Sequence, residues 1–229
     1  MKRALLSPIL VLAAALVIAS AQEVQRHGLV FEQWVRVTFF DGYKPASHTQ
    51  RWDIPATANK AHGGIPVNPK ASKYGTAVDL GDALRQYEID EPFMLLIGFW
   101  SQDGDEKRMV NIIAPEISPA LWRKLWGPVT YADLLRLDAL IKDTGPSVKE
   151  TRQRALKLKH SPPFTEAVIQ VNPKIDTRGQ RRLQCSIRFT DVFKHLAPGA
   201  DPKPQEHPAL FGVEYPGLIA SPPRAFNQP

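Results

Sequence analysis

Three charged residues follow one another in an order that could serve a metal-dependent reaction. Glu32 lies in a helical pattern, Asp53 follows in a short strand-like segment, and Lys70 comes after a glycine-containing loop. Carboxylates hold a hard cation such as Mg²⁺, and a lysine can stabilise the negative charge that develops when a phosphodiester is cleaved. The set predicts phosphodiester chemistry, although each residue alone is also compatible with an ordinary surface or turn position.

The residues around this set resemble the core of the PD-(D/E)xK nuclease superfamily, to which type II restriction endonucleases belong. The resemblance rests on Glu32, on the tripeptide WDI at 52–54 and on the hexapeptide IPVNPK at 65–70. It spans residues 28–113, with a looser likeness at 166–189. It implies a restriction-endonuclease-like scaffold that cleaves DNA with Mg²⁺ as the cofactor.

The resemblance also implies roles for individual residues. Asp53 would be the principal metal ligand, Lys70 the catalytic lysine and Glu32 an accessory carboxylate. Asn68 stands at the second acidic position of the pattern, which implies a metal ligand that offers a carbonyl oxygen without a charge. Pro69 lacks a backbone donor, so it suits an edge strand or a bulge better than a central strand.

Further along the chain, basic and amide side chains are concentrated where DNA contacts are expected. Arg and Gln side chains suit phosphate contacts and the edges of guanine and adenine in the major groove. The predicted DNA-binding set is Lys174, Arg178, Arg181, Arg182 and Gln184. The basic stretch at 147–159 could extend this surface, although solvated faces rich in Lys and Arg are also ordinary.

The sequence lacks the motifs of several common enzyme classes. It contains no G-x-S-x-G, no Walker loop, no G-x-G-x-x-G and no H-E-x-x-H. Its six histidines are scattered without ligand spacing, so a zinc site has no support.

The single cysteine, Cys185, lies in an alternating apolar run. It is predicted to be a buried strand residue, because no nearby histidine would activate its thiol.

The first 21 residues have the layout of a secretory signal peptide. Lys2 and Arg3 precede an uncharged, mostly apolar run at 4–18, and residues 19–21 (ASA) form a small-x-small cleavage pattern. The apolar run is shorter than the roughly 20 residues that a spanning helix needs. We therefore expect cleavage after Ala21, a secreted or periplasmic protein and no stable insertion in a membrane. A true start further along the chain would instead make the protein cytoplasmic.

The rest of the chain carries a mild basic excess. The leader contains Lys2 and Arg3 but no acidic residue, so its removal lowers the formal net charge from +6 to +4. Such a charge permits binding to a polyanion without requiring it.

A lone cysteine forms no intramolecular disulfide, so stability must come from a hydrophobic core. Trp122 and Trp126, one helical turn apart, are expected in that core rather than on a carbohydrate-binding surface.

Periodicity along the chain predicts one globular domain at 22–197, followed by a proline-rich tail at 198–229. Helical patterns lie at 26–40, 79–87, 118–126, 130–141 and 147–159. Strand patterns lie at 50–54, 93–100, 107–114, 166–171 and 181–189, with a hairpin turn at 102–105. This mixture predicts an α+β or three-layer α/β/α fold, in which a mixed, largely antiparallel central sheet is flanked by helices.

Two functions of different classes fit the sequence. The first is an exported nuclease, or a catalytically weakened relative, that acts on DNA with Mg²⁺. The second is a non-enzymatic secreted or periplasmic binding or envelope protein, whose polar residues are structural. The two differ in geometry: in the first, Asp53 and Lys70 converge beside Glu32 in a cleft, and in the second they point apart or into solvent.

Overall fold

An amphipathic helix, α1 (28–39), is the first element of the computed structural model, which describes residues 28–45 and 50–220. Phe31 and Val35, one helical turn apart, point inward from this helix and are fully buried. The helical spacing of Leu29, Val30 and Val37 predicts a buried face that includes them, but all three side chains are exposed. The backbone then reverses at Asp41 and Gly42, which both have positive φ. The segment 1–21, for which a secretory signal is predicted, lies outside the described residues.

The larger sheet has five strands. They are β1 (Val67–Lys73), β3 (Phe93–Asp103), β4 (Glu106–Ile113), β5 (Glu116–Ile117) and β10 (Leu218–Ala220). Their order is β1-β3-β4-β10, and β5 pairs with β3 where β4 has left it. Only the β1–β3 pairing is parallel. Strand β1 comes first in the strand order, so it is an edge strand of this sheet. An edge strand accommodates Pro69, which has no backbone N–H to donate.

A smaller antiparallel sheet has the order β2-β7-β6. Its strands are β2 (Val78–Asp82), β6 (Gln170–Ile175) and β7 (Arg181–Ile187). Cys185 on β7 is fully buried, as predicted, and burial raises the pKa of its thiol. The tetrapeptide Val-Asn-Pro-Lys occurs at 67–70 in β1 and again at 171–174 in β6. Both strands are edge strands.

Five further helices cover the sheets. They are α2 (Ala83–Tyr87), α3 (Pro119–Trp126), α4 (Tyr131–Lys142), α5 (Val148–Lys159) and the short α6 (Phe189–Asp191), which continues as an irregular helical turn at 192–196. The predicted caps are present: Ser118 accepts a backbone bond at the start of α3, and Thr130 and Asp133 form a capping box at α4. No helix within the described ranges is long and apolar enough to span a bilayer.

Strand β3 is buried on both faces, because separate hydrophobic clusters lie on its two sides. Phe93, Leu95, Ile97 and Phe99 belong to the cluster formed with the small sheet and helices α3 to α5. That cluster also contains Trp122 and Trp126, which are almost completely buried as predicted. Met94 and Leu96 face the cluster beneath α1. A continuous apolar run is typical of a strand in this position.

Three predicted elements differ in the structure. Residues 79–87 form β2 and then α2 rather than one helix, because Gly81 has a φ of +93° and Asp82 caps the helix that follows. In the segment 50–54 only Ile54 pairs, with Val67, before Pro55 ends the contact. Strand β6 begins at Gln170 rather than 166, because residues 164–166 form a helical turn.

The proline-rich stretch after 197 lies along the large sheet as far as it is described. The side chain of Asn111 on β4 donates to the carbonyls of Asp201 and Lys203. Further on, β8 (Ala209–Leu210) and β9 (Val213–Glu214) form a hairpin, and the buried Leu210 and Tyr215 join the cluster beneath α1. The strands and helices thus form a mixed α/β fold with largely antiparallel sheets flanked by helices. The described strands are divided among a five-stranded sheet, a three-stranded sheet and the β8–β9 hairpin rather than forming one central sheet.

Candidate functional site

Asp53 is held on a short segment that is anchored on both sides. Trp52 and Ile54 are buried, and the Trp52 ring nitrogen donates to Glu91 Oε1 at 2.8 Å. Ile54 exchanges two backbone hydrogen bonds with Val67, of 3.1 and 2.8 Å. This antiparallel bridge brings the residue before Ile54 beside the residue after Val67, so Asp53 lies next to the start of β1.

Lys70 points from β1 toward the same place. Its Nζ atom lies 3.6 Å from Asp53 Oδ2, and the two side chains are 23% and 42% exposed. Parallel pairing with β3 fixes the backbone of β1 along its length, with Lys70 opposite Ile97. The predicted catalytic lysine and the predicted principal carboxylate are therefore adjacent and reachable by solvent.

Glu32 of α1 shares the lining of one cleft with Asp53. The pKa of Glu32 is raised, first by partial burial of its carboxyl group and then by the nearby Asp53 carboxylate. The ammonium of Lys70 and the guanidinium of Arg36 oppose this rise. Glu32, Asp53 and Lys70 thus lie within electrostatic reach of one another.

Asn68 contributes a buried polar atom that no other described residue satisfies. The residue is 5% exposed, and its Oδ1 atom has no hydrogen-bond partner among the described residues. Asn172 is the corresponding residue of the second Val-Asn-Pro-Lys tetrapeptide. Its side chain accepts from Lys159 at 3.1 Å and donates to Ser186 at 2.7 Å. The two asparagines therefore differ in how their amide groups are satisfied among the described residues.

Two clefts meet at this cluster. The α1 cleft, of about 510 Å³, is lined by Glu32, Gln33, Arg36, Lys44 and neighbouring residues. The α2 cleft, of about 460 Å³, is lined by Asn68, Lys70, Asp82, Arg85 and others. Gln50 and Asp53 line both. The candidate site consists of Glu32, Asp53, Asn68 and Lys70, at the junction of these clefts.

The donor atoms at the junction suit Mg²⁺ better than a softer metal. Over 28–45 and 50–220, no three His, Cys, Asp or Glu side chains form a metal-binding group. The carboxylates of Glu32 and Asp53 lie within electrostatic reach of each other at the junction, and Asn68 lines the adjoining α2 cleft. Mg²⁺ keeps several of its waters and takes one or two carboxylates from the protein, so this set fits it.

The predicted DNA-binding residues lie on the hairpin of β6 and β7 and do not share one environment. Lys174 and Arg182 are exposed and opposite each other in the register, and Arg178 is exposed in the turn. Gln184 is half-buried and lies opposite Asp82 of β2. Arg182 also makes a 3.3 Å ion pair with Asp176.

Arg181 is used inside the fold. Its guanidinium donates to the carbonyls of Ile141 and Asp143 at the end of α4, and its Nη1 atom lies 3.5 Å from the Thr151 hydroxyl. Two of its other nitrogens are buried. The Arg181 side chain therefore satisfies free carbonyl groups at the C-terminal end of α4. It does not face the surface that was predicted to contact DNA.

Sequence reasoning did not identify Gln50, Arg36, Lys44 and Arg85 as lining residues of the clefts. Arg36 follows Glu32 by one helical turn, so its position on the same face of α1 was readable from the sequence. The positions of Gln50 and Arg85 depend on how β1, β2 and α2 fold back toward α1. No local pattern records that arrangement.

No protein-family model matches the chain, and neither a curated protein nor a solved structure matches it significantly. The arrangement of Glu32, Asp53, Asn68 and Lys70 is the feature of the chain that points to a function.

Replacing Glu32 with glutamine is expected to stabilise the metal-free protein at pH 8. A carboxyl group whose pKa is raised on folding contributes stability at low pH, and this contribution is lost as the pH rises through the folded-state pKa. The charged form of Glu32 therefore weakens the fold at pH 8, and glutamine removes that charge. We expect a gain of a few tenths to about 1 kcal/mol in the free energy of unfolding.

Urea unfolding in EDTA at pH 8 and at pH 4 measures this effect. The gain should shrink at pH 4, where the wild-type carboxyl group takes up a proton. Glu106→Gln is the control, because Glu106 is an exposed carboxylate of β4. An equal gain at both pH values, or a loss at pH 8, would contradict the expectation.

Proposed function

We propose that this protein is a metal-dependent nuclease with a restriction-endonuclease-like core, in which Asp53 and Lys70 act together. The observation that carries the proposal is the convergence of Glu32, Asp53 and Lys70, with Asn68 in the lining of the cleft that Asp53 and Lys70 share. Two carboxylates and an ammonium that meet where two clefts adjoin, one of the carboxyl groups with a raised pKa, are a candidate for a reactive site.

Each residue of the set has a chemical task in this proposal. Asp53 and Glu32 would hold Mg²⁺, with Asn68 as a neutral third ligand. The cation would neutralise charge on the phosphate and lower the pKa of a water molecule. Lys70, whose ammonium is adjacent to Asp53, stabilises the extra negative charge of the phosphate in the transition state.

The hairpin of β6 and β7 supports DNA as the substrate. Gln184 lies opposite Asp82, and Asp82 lines the α2 cleft. Arg182 is two residues along the same strand face, and Lys174 lies opposite Arg182. Polar side chains thus continue from the cleft along one face of the hairpin, and they are suited to the phosphates and base edges of a duplex. The signal-like leader at 1–21 supports a role outside the cytoplasm.

Cleavage assays with the purified protein test the proposal. Supercoiled plasmid and single-stranded DNA are incubated with Mg²⁺, Mn²⁺ or EDTA, and an Asp53→Ala variant purified in parallel controls for contaminating nucleases. We expect product only with wild-type protein and a divalent metal. Cleavage that persists in Asp53→Ala, or no cleavage with either metal, would refute the assignment.

The neighbouring arginines Arg181 and Arg182 are expected to respond differently to alanine. Arg181→Ala leaves carbonyls at the end of α4 without their donor, so it should lower the free energy of unfolding by about 1–3 kcal/mol. Arg182→Ala removes an exposed side chain and should change stability by less than about 0.5 kcal/mol, while it weakens DNA binding by about threefold to tenfold.

Thermal unfolding and fluorescence anisotropy with a labelled duplex in EDTA measure the two effects. Each variant is the other's control, because the two residues are adjacent in β7. If Arg182→Ala binds DNA like the wild type, the hairpin is not a DNA-binding surface.

A further inference from the structure

The candidate site lies where the α1 cleft and the α2 cleft adjoin. The two clefts share Gln50 and Asp53 and otherwise have different lining residues, so each offers separate space next to Asp53. Gln50 is fixed at this junction by Tyr43, whose hydroxyl donates to Gln50 Oε1 at 3.3 Å. A phosphodiester beside Asp53 would therefore have room for the neighbouring nucleotides on both sides.

One arginine on the α1 side is suited to bind a phosphate. Arg36 lines the α1 cleft together with the exposed Lys44. Arg36 makes no ion pair within 4 Å among the described residues, although its charge lowers the pKa of Glu32. A guanidinium group offers a planar fork of donors that matches phosphate oxygens. Its position one helical turn after Glu32 places it near the reaction centre but not in it.

A second arginine occupies the α2 side. Two arginines line that cleft, but Arg51 is already held by Asp90 at 2.8 Å and by the carbonyl of Glu88. Arg85 is exposed, and within the described part of the chain no ion pair holds it. The backbone N–H of Arg85 donates to the Asp82 side chain, which caps α2. This bond holds the backbone of Arg85 and does not involve its guanidinium group.

We propose that Arg36 and Arg85 bind phosphates on opposite sides of the scissile phosphodiester. A polynucleotide strand would then run from the α1 cleft, across Asp53, into the α2 cleft. This proposal rests on the proposed nuclease function and deepens it, because it assigns a phosphate-binding residue to each arm of the groove. The formal charges that line each cleft balance, so local contacts with these arginines, and not a net positive field, position the strand.

Equilibrium binding tests the two contacts without cleavage. Wild-type protein, Arg36→Ala, Arg85→Ala and the double variant are titrated against a labelled duplex in EDTA at several salt concentrations. Each single variant should bind about five- to tenfold more weakly, and each should reduce the slope of log affinity against log salt by about one. Arg136→Ala, an exposed arginine of α4 that lines neither cleft, should bind like the wild type.

Neutral phosphates test the sidedness of the contacts. The cleavage position is first mapped with wild-type protein and Mg²⁺. Methylphosphonates are then placed at the first three phosphates on one side of that position or on the other. One substituted duplex should abolish the difference between wild type and Arg36→Ala, and the other should abolish the difference for Arg85→Ala, because the charge that each arginine binds has been removed.

The outcomes separate this proposal from the function on which it rests. If wild-type protein neither binds nor cuts DNA, both are overturned. If wild-type protein cuts DNA but Arg36→Ala or Arg85→Ala binds like Arg136→Ala, the two-sided contact is overturned and the nuclease function stands. If methylphosphonates on the same side of the cleavage position abolish the effects of both Arg36→Ala and Arg85→Ala, the two-sided contact is also overturned. If substitution on one side abolishes the effect of one variant and substitution on the other side that of the other, the two-sided contact is supported.

Discussion

Replacing Lys70 with methionine is expected to slow Mg²⁺-dependent cleavage by about 100-fold or more and, at the same time, to strengthen metal binding. The two effects have opposite signs because the ammonium has two neighbours. It can stabilise charge on a bound phosphate, but it also lies 3.6 Å from Asp53 Oδ2 and lowers the pKa of Glu32. A bound cation must therefore compete with Lys70 for the same carboxylates.

Two measurements detect this split. Single-turnover cleavage gives the rate, and calorimetric titration with Mn²⁺ in the absence of DNA gives the metal affinity. Stability should change by no more than about 1 kcal/mol, because the Lys70–Asp53 pair is partly exposed. Lys73→Met, at the exposed end of the same strand, is the matched control and should affect neither quantity.

A purely structural role for Lys70 predicts a different pattern. Loss of a structural ion pair would lower stability, and it would lower cleavage and metal binding together. Lys70→Arg adds a further comparison, since it keeps the positive charge but changes its position. We expect it to retain more activity than Lys70→Met and to leave metal affinity close to the wild-type value. Equal cleavage by Lys70→Met and wild-type protein would contradict the assigned role.

Much of the fold was readable where the local pattern and the tertiary environment agree. The apolar run at 93–100 predicted a strand buried on both faces, and β3 lies between two hydrophobic clusters. The Ser118 and Thr130 caps predicted helix starts that the structure confirms. In each case the chemistry acts within a few residues, so the sequence contains the whole signal.

The errors occurred where a backbone feature outweighed the pattern. The stretch 79–87 has an acidic beginning and helical spacing, but Gly81 adopts a positive φ and β2 pairs with β7 through a bulge at that point. Pairing partners are set by contacts far apart in the chain, which a local period does not record. The division of the strands into two sheets depends on the same long-range pairing.

The order of Glu32, Asp53 and Lys70 was visible in the sequence, but the reason why they lie close together was not. Asp53 is brought to β1 by the bridge between Ile54 and Val67. Glu32 is brought there by the packing of α1 on the large sheet, which depends on Phe31. The candidate site is thus assembled by two contacts that contain none of its own side chains.

Gly98 is the residue that allows α1 to approach the sheet so closely. A Cβ atom at this position would lie 2.6 Å from two carbons of the Phe31 ring, which is fully buried. The ring cannot yield easily, because it belongs to the close-packed cluster beneath α1. Gly98→Ala is therefore expected to lower the free energy of unfolding by about 1–3 kcal/mol, or roughly 2–4 °C in Tm for each kcal/mol.

The same substitution should reduce cleavage, although Gly98 lines neither cleft. Displacing Phe31 also displaces Glu32, the next residue, away from Asp53. Thermal unfolding and the cleavage assay below Tm measure the two effects, and Gly199→Ala is the control because a Cβ atom there would meet nothing within 4 Å. Adding Phe31→Leu to Gly98→Ala makes room for the new methyl group and should restore part of both losses. If Gly98→Ala unfolds and cleaves like the wild type, close packing of α1 does not position Glu32.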